Sequence, residues 1–163
     1  MNLLREYIRG LLSEAAQAQT VTYDRRGRPE PTSDDMAFMK EYESLTEENP
    51  IGMPGDRYWY MGEFDGKHCL VITNIRIDFN RGGIYFNSIQ TVPPEVCEGQ
   101  GFASKVMNSV TDLADKHGVS LRLLAVPFAQ KSVSGENLST WYSRAGFEQT
   151  DPDYGEVMVR QSK

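Results

Sequence analysis

The feature that most constrains this chain is residues 92–116, where an apolar run enters a glycine-containing turn and leaves as a helix. The turn reads Glu98-Gly99-Gln100-Gly101-Phe102-Ala103-Ser104, and Phe102, Val106, Val110, Leu113 and Ala114 then recur at the spacing of one face of an α-helix. Ahead of it, Ile84-Tyr85-Phe86-Asn87-Ser88-Ile89-Gln90-Thr91-Val92 has the β-branched and aromatic content of a buried strand. A strand, a turn of small residues and a helix start make an anion site. The first backbone N–H groups of the helix have no carbonyl partner, and the helix dipole adds partial positive charge there. Gly99, Gly101 and Ala103 keep side chains away from those donors, and Ser104 adds a hydroxyl. The same pattern serves equally as a tight connection without a ligand. It is not a P-loop, because no Gly-Lys-Ser/Thr ending follows, nor the dinucleotide fingerprint, whose third glycine is missing.

Composition narrows the classes that can use such a turn. At 163 residues the chain fits one domain with a sizeable core. The formal net charge is −6, and an acidic chain without a basic block is poorly suited to neutralising phosphates, so nucleic acid is not an expected partner. Arg25, Arg26 and Arg28 form the local exception. The charge suits a cationic or amine-bearing substrate better. No apolar stretch nears the roughly 20 residues that span a bilayer, so no membrane role is expected. Cys69 and Cys97 lie in no Cys-x-x-Cys pair or histidine cluster, which argues against a disulfide framework and against a zinc site. A reducing, cytoplasmic setting is the resulting expectation, with no metal implied.

In chain order, Leu3, Leu4, Tyr7, Ile8, Leu11 and Leu12 draw an apolar stripe on a first helix of about four turns. With Leu12-Ser13-Glu14-Ala15 at its end, this segment resembles the short head-targeting peptides of internal proteins in large tailed bacteriophages, which are cleaved after a Leu-x-Glu step. Residues 1–19 are therefore set apart as an amphipathic helix, and residues 20–163 as one domain. Thr20-Val21-Thr22-Tyr23 reads as a short strand before a Pro- and Gly-containing basic loop over 24–31. Thr32 or Ser33 caps a helix over 34–45, with Asp34 and Asp35 in its first turn. A second Pro/Gly loop covers 49–55.

From Arg57 the pattern turns to strands. Tyr58 to Phe64, the two-residue hairpin Asp65-Gly66, His68 to Ile77, a turn at Asn80-Arg81-Gly82-Gly83 and the strand ending at Val92 predict a three-strand antiparallel meander. Lys116-His117-Gly118 closes the helix after the glycine turn. Residues 121–126 form a strand, parallel to its neighbour through a right-handed crossover. A short helix over 138–145 stops at Gly146, and Phe147-Glu148 with residues 156–160 forms a final hairpin.

That order, with the glycine turn and Tyr142-Ser143-Arg144-Ala145-Gly146-Phe147, resembles the GCN5-related N-acetyltransferase (GNAT) family over about residues 57–160. The family's pyrophosphate motif is Arg/Gln-x-x-Gly-x-Gly/Ala; Gly101 and Ala103 match it, and Glu98 stands where the family carries a cation or an amide. The resemblance implies an α/β fold with a mixed, mostly antiparallel central sheet flanked by helices, here with the extra N-terminal amphipathic helix. It implies transfer of an acetyl group from acetyl-CoA, the co-substrate, to a primary amine in a ternary complex. By the same resemblance Gly99, Gln100, Gly101, Phe102, Ala103 and Ser104 hold the phosphates, a backbone N–H of Thr91 or Val92 holds the thioester oxygen, and Tyr142 protonates the departing sulfur. Asn137 is the counterpart of the family's pantetheine-binding asparagine, although it lies nearer the tyrosine. The strand ending at Val92 offers Asn87, Ser88 and Gln90 but no carboxylate, so Glu63 and Asp78 on neighbouring strand ends are the candidate general bases. His68 reads as a strand-edge residue, His117 as a helix-end cation and Cys97 as a small buried side chain. The acceptor is a small molecule or a protein bearing an amine, and a homodimer is left open. The alternatives are a catalytically degenerate binding module of the same fold and a virion or partner-docking protein in a phage-infected host, in which the first helix matters most.

Overall fold

The computed structural model describes residues 23–125, 138–150 and 157–163. The N-terminal helix over 1–19, its processing site and Asn137 lie outside the described residues, as do Thr20, Val21 and Thr22. Tyr23 forms an isolated antiparallel bridge with Pro29, closing the basic loop.

Helix α1 (Ser33–Leu45) starts where the acidic first turn predicts. The Thr32 hydroxyl accepts from the Asp35 amide at 3.0 Å and the Asp35 carboxylate accepts from the Thr32 amide at 2.9 Å, a reciprocal capping box. Thr32 takes the cap rather than Ser33 because only from that position does a carboxylate fall three residues on. Phe38 and Tyr42, one turn apart, are fully buried against the sheet, and the Tyr42 hydroxyl meets Thr73 Oγ1 at 2.8 Å.

The strands follow as β1 (Glu47–Glu48), β2 (Asp56–Phe64), β3 (Lys67–Ile77), β4 (Ile84–Val92), β5 (Leu121–Leu124), β6 (Glu148–Gln149) and β7 (Val157–Arg160). They form one sheet in the order β1-β2-β3-β4-β5-β7-β6. Only the β4–β5 pair is parallel; the described pairs otherwise run antiparallel. The fold is thus a mixed, mostly antiparallel sheet flanked by helices, as expected. Asp65 and Gly66 both take positive φ, 47° and 68°, which matches the hairpin turn to the right-handed twist of β2 and β3.

Between β4 and β5 come the short helix α2 (Pro94–Cys97) and the long helix α3 (Phe102–His117). The sequence reading did not anticipate α2 or β1, each too short to show a period. Val106, Met107, Val110, Leu113 and Ala114 of α3 pack into one apolar cluster with Val71, Ile75, Ile84, Phe86, Leu121 and Leu123 of the sheet. Phe102, the first residue of the expected stripe, is only half-buried. Gly118 ends α3 in the left-handed conformation, its amide donating to the last carbonyls. Helix α4 (Leu138–Arg144) precedes β6.

One expectation is corrected. Cys69 and Cys97 form a disulfide, with Cα atoms 5.7 Å apart and a sequence separation of 28. Pairing of Leu70 with Val92 brings the start of β3 beside the segment that runs into α2, so two cysteines with unremarkable spacing become neighbours. The cysteine-based argument for a reducing compartment therefore no longer applies. Among the described residues no helix is long and apolar enough to cross a membrane.

Candidate functional site

The glycine turn leaves a row of backbone donors without acceptors. Glu98 N–H donates back to Pro94 O at 3.1 Å, and Lys105 N–H donates to Gly101 O at 3.1 Å. Between them, the amides of Gly99, Gln100, Gly101, Phe102, Ala103 and Ser104 have no protein acceptor among the described residues. Gly99 and Gly101 hold φ near +80° (80° and 77°), a conformation costly for any residue with a Cβ. Beyond the chain neighbours, no described atom lies within 4 Å of where a Cβ would stand at either glycine, so the glycines answer to backbone conformation rather than to crowding. The first turn of α3 carries no carboxylate, and Lys105 follows it, its ammonium 5.6 Å from the Phe102 ring centre. Such an arrangement receives an anion through backbone donors and the helix dipole. Glu98 caps the C-terminus of α2 and is exposed, so its charge is solvated beside the turn rather than buried in it.

Strand β4 separates from β5 on the way to this turn. The parallel pairing covers Ile84 with Leu121, Tyr85 with Arg122 and Phe86 with Leu123. Beyond it, among the described residues, β4 is held only by β3, through Thr91 opposite Val71 and Val92 opposite Leu70. In an antiparallel pair successive residues point their N–H groups to alternate sides, so one of the Thr91 and Val92 amides points away from β3, into the gap left by β5.

Tyr142 of α4 is 7% exposed and belongs to the same apolar cluster as Val106, Met107 and Val110 of α3. Burial pushes its hydroxyl pKa up to about 12. The group is therefore a protonated donor throughout the neutral range. The motif around it has a structural cause as well. Phe147 N–H donates to Tyr142 O at 3.2 Å and Gly146 N–H to Ser143 O at 3.0 Å, with Gly146 at φ +87°: this is a Schellman end, completed by the contact of the Tyr142 and Phe147 rings.

The two candidate bases are placed differently. Glu63 pairs across the hairpin with His68, just beyond the Leu70–Val92 pair, so it lies at the glycine-turn end of the sheet, exposed and two strands or about 10 Å from β4. Asp78 lies at the other end, after the Ile77–Ile84 pair, separated from Val92 by roughly 25 Å of strand. There it accepts from Arg122 Nη1 at 3.1 Å and from the amides of Asn80 and Arg81, a turn carboxylate that the structure does not bring to the glycine turn. The sequence reading did not find the Tyr60 hydroxyl, 3.1 Å from His68 Nδ1 at the same end as Glu63. The only available signal was the register implied by Asp65-Gly66, which a bulge near Met61 shifts by one residue. Among the described residues no group of three or more His, Cys, Asp or Glu side chains could hold a metal ion.

No family model matches this chain, and no curated protein matches it. Among solved structures, it is similar to the crystal structure of anti-CRISPR protein AcrVA5, at 23% identity over 56% of this chain and 87% of that one, with a TM-score of 0.40. A likeness at that level carries no functional argument.

Proposed function

We propose that the chain is an acyltransferase that moves an acetyl group from acetyl-CoA to a primary amine. The observation that supports this reading best is the row of acceptor-free amides from Gly99 to Ser104 at the start of α3, since a pyrophosphate fits donors of that number and polarity. The resemblance of the motifs around Gly101 and Tyr142 to the GNAT family supplies the reaction.

Acetyl-CoA supplies a thioester whose carbonyl carbon receives the amine's electron pair, the C–N bond forming as the C–S bond breaks. The residues then divide the remaining work. The amides of Gly99 to Ser104 bind the phosphates and fix the coenzyme's direction. The Thr91 or Val92 N–H that points away from β3 donates to the carbonyl oxygen as its charge grows. Tyr142 gives its proton to the departing sulfur and recovers one from solvent. Glu63, at the same end of the sheet, takes the proton that the amine loses, through a water.

A second reading is a binding module that keeps the cradle without turnover. It is favoured by the absence of a carboxylate on β4 and by the Schellman end, which accounts for the Tyr-x-x-x-Gly-Phe pattern without chemistry. Calorimetric titration with acetyl-CoA, beside a Gly101→Asp variant, tests both. Binding that the variant loses, followed by thiol release with an amine panel, supports the transferase. Binding without thiol release favours the module. No binding by the unmodified chain overturns both.

A further inference from the structure

At the end of the sheet away from the glycine turn, the face turned from α3 carries a cross-strand row of Arg76, Tyr85 and Arg122, paired directly across β3, β4 and β5. Their alternation neighbours Ile75, Ile84, Phe86, Leu121 and Leu123 are buried on the opposite face. Arg76 is exposed and its guanidinium lies 5.2 Å from the Tyr85 ring centre. Arg122 is partly buried against Asp78. The row forms the floor of a cavity of about 540 Å³, bounded also by Arg81, Phe79 and Leu124. Phe79 and Leu124 are 52% and 42% exposed, large apolar side chains presented to the opening.

The chemistry of this cavity is cationic and flat. Among the described residues it holds Arg76, Arg81 and Arg122 against the one carboxylate of Asp78, a local excess of two positive charges on a chain of net charge −6. Guanidinium groups match phosphate oxygens in pairs, and a guanidinium stacked on a phenol ring offers a planar platform for a heteroaromatic ring. The volume lies in the range of sites for small ligands. The overall negative charge disfavours a long polyanion, whose further phosphates would meet the acidic remainder of the surface.

We propose that this cavity is a binding site for a nucleoside phosphate, the phosphate on Arg76 and Arg81 and the base on the Arg76–Tyr85 platform. It is separate from the cradle at Gly101 and does not rest on the acetyltransferase reading.

The test is calorimetric titration of the full chain with AMP and GMP, with inorganic phosphate and a short single-stranded oligonucleotide as further probes. Arg76→Gln combined with Arg81→Gln removes the free charges, while the Arg81 backbone N–H to Asp78 is retained. Tyr85→Leu removes the platform. Arg122 is left intact because its loss would strand Asp78. The expected result is submillimolar binding of a mononucleotide, weakened at least tenfold in both variants with melting temperature unchanged, and at least tenfold tighter than phosphate. Retention of that binding in Gly101→Asp places it outside the coenzyme cradle. Should either variant fail to fold, Arg81→Glu alone, on an exposed turn, must still weaken binding at least threefold. The proposal is overturned by no mononucleotide binding at millimolar concentration, by binding that these substitutions leave unchanged or Gly101→Asp abolishes, by phosphate binding as tightly as AMP, or by binding of the oligonucleotide alone.

Discussion

Phe147 N–H donates to the Tyr142 carbonyl at 3.2 Å while the two rings meet edge to face, their centres 5.8 Å apart. One pair of residues therefore both ends helix α4 and fixes the tyrosine that is the proposed proton donor. Between them Gly146 takes φ +87°, and a Cβ there would stand 3.3 Å from Arg160 Nε. Replacing Gly146 with Ala should cost about 1–2 kcal/mol, from left-handed strain plus displacement of the arginine. Urea unfolding of the variant measures this, and a loss below about 0.3 kcal/mol contradicts the helix-end account.

Structure and chemistry at Tyr142 separate cleanly in Tyr142→Phe. Among the described residues the hydroxyl has no hydrogen-bond partner, and burial alone raises its pKa, so its removal should change stability by no more than about 0.5 kcal/mol. If it protonates the departing sulfur, amine-dependent thiol release should fall roughly 100-fold. Because the hydroxyl stays protonated up to about pH 12, any turnover by the unmodified chain should show no loss attributable to Tyr142 between pH 7 and 10. An unchanged rate in the variant removes the acid role.

The Cys69–Cys97 bond joins residues 28 apart in sequence, and loop-closure entropy gives it about 3.5 kcal/mol of stability. Chemical denaturation with and without a reductant, together with a Cys69→Ser variant, should show that difference. Cys97 directly precedes Glu98 and the donor row, so hydrogen exchange at the Glu98 and Lys105 amides, which donate to Pro94 O and Gly101 O, should also accelerate on reduction. Equal stability in both states would mean that the strand pairing alone holds this corner.

Stability should fall at both ends of the pH scale. Arg160 holds the Asp115 carboxyl below its ordinary 3.8, and Lys116 with His117 holds that of Glu41 below 4.5. A carboxyl lowered in the fold contributes fully above its unfolded value and is lost as pH falls through its folded value. Thermal stability should therefore be level above about pH 5 and decline below it, less steeply in Asp115→Asn, which starts lower because Arg160, 5% exposed, loses its partner. Burial raises Tyr42 and Tyr142 from 10 to about 12. Their contribution is complete below pH 10 and disappears as pH rises through about 12, a loss of roughly 2 kcal/mol per tyrosine. A midpoint that stays flat from pH 9 to 12 contradicts their burial.

Local chemistry made most of the elements legible. The Asp65-Gly66 turn, the Thr32 cap with its acidic third residue, the apolar face of α3 and the Gly118 and Gly146 stops are each decided by neighbours in sequence, through φ preference, capping or period. The donor row at Gly101 was readable for the same reason, because a helix start leaves its amides unpaired wherever it occurs. What a chain of letters does not carry is which distant residues become neighbours. The pairing of Leu70 with Val92 decided that Cys69 meets Cys97, and the pairing of Ile77 with Ile84 set Asp78 beside Arg122 and away from the glycine turn. Strand register likewise aligned Arg76, Tyr85 and Arg122 into one basic row on an acidic chain, since it depends on the simultaneous burial of one face of three strands rather than on the spacing within any of them.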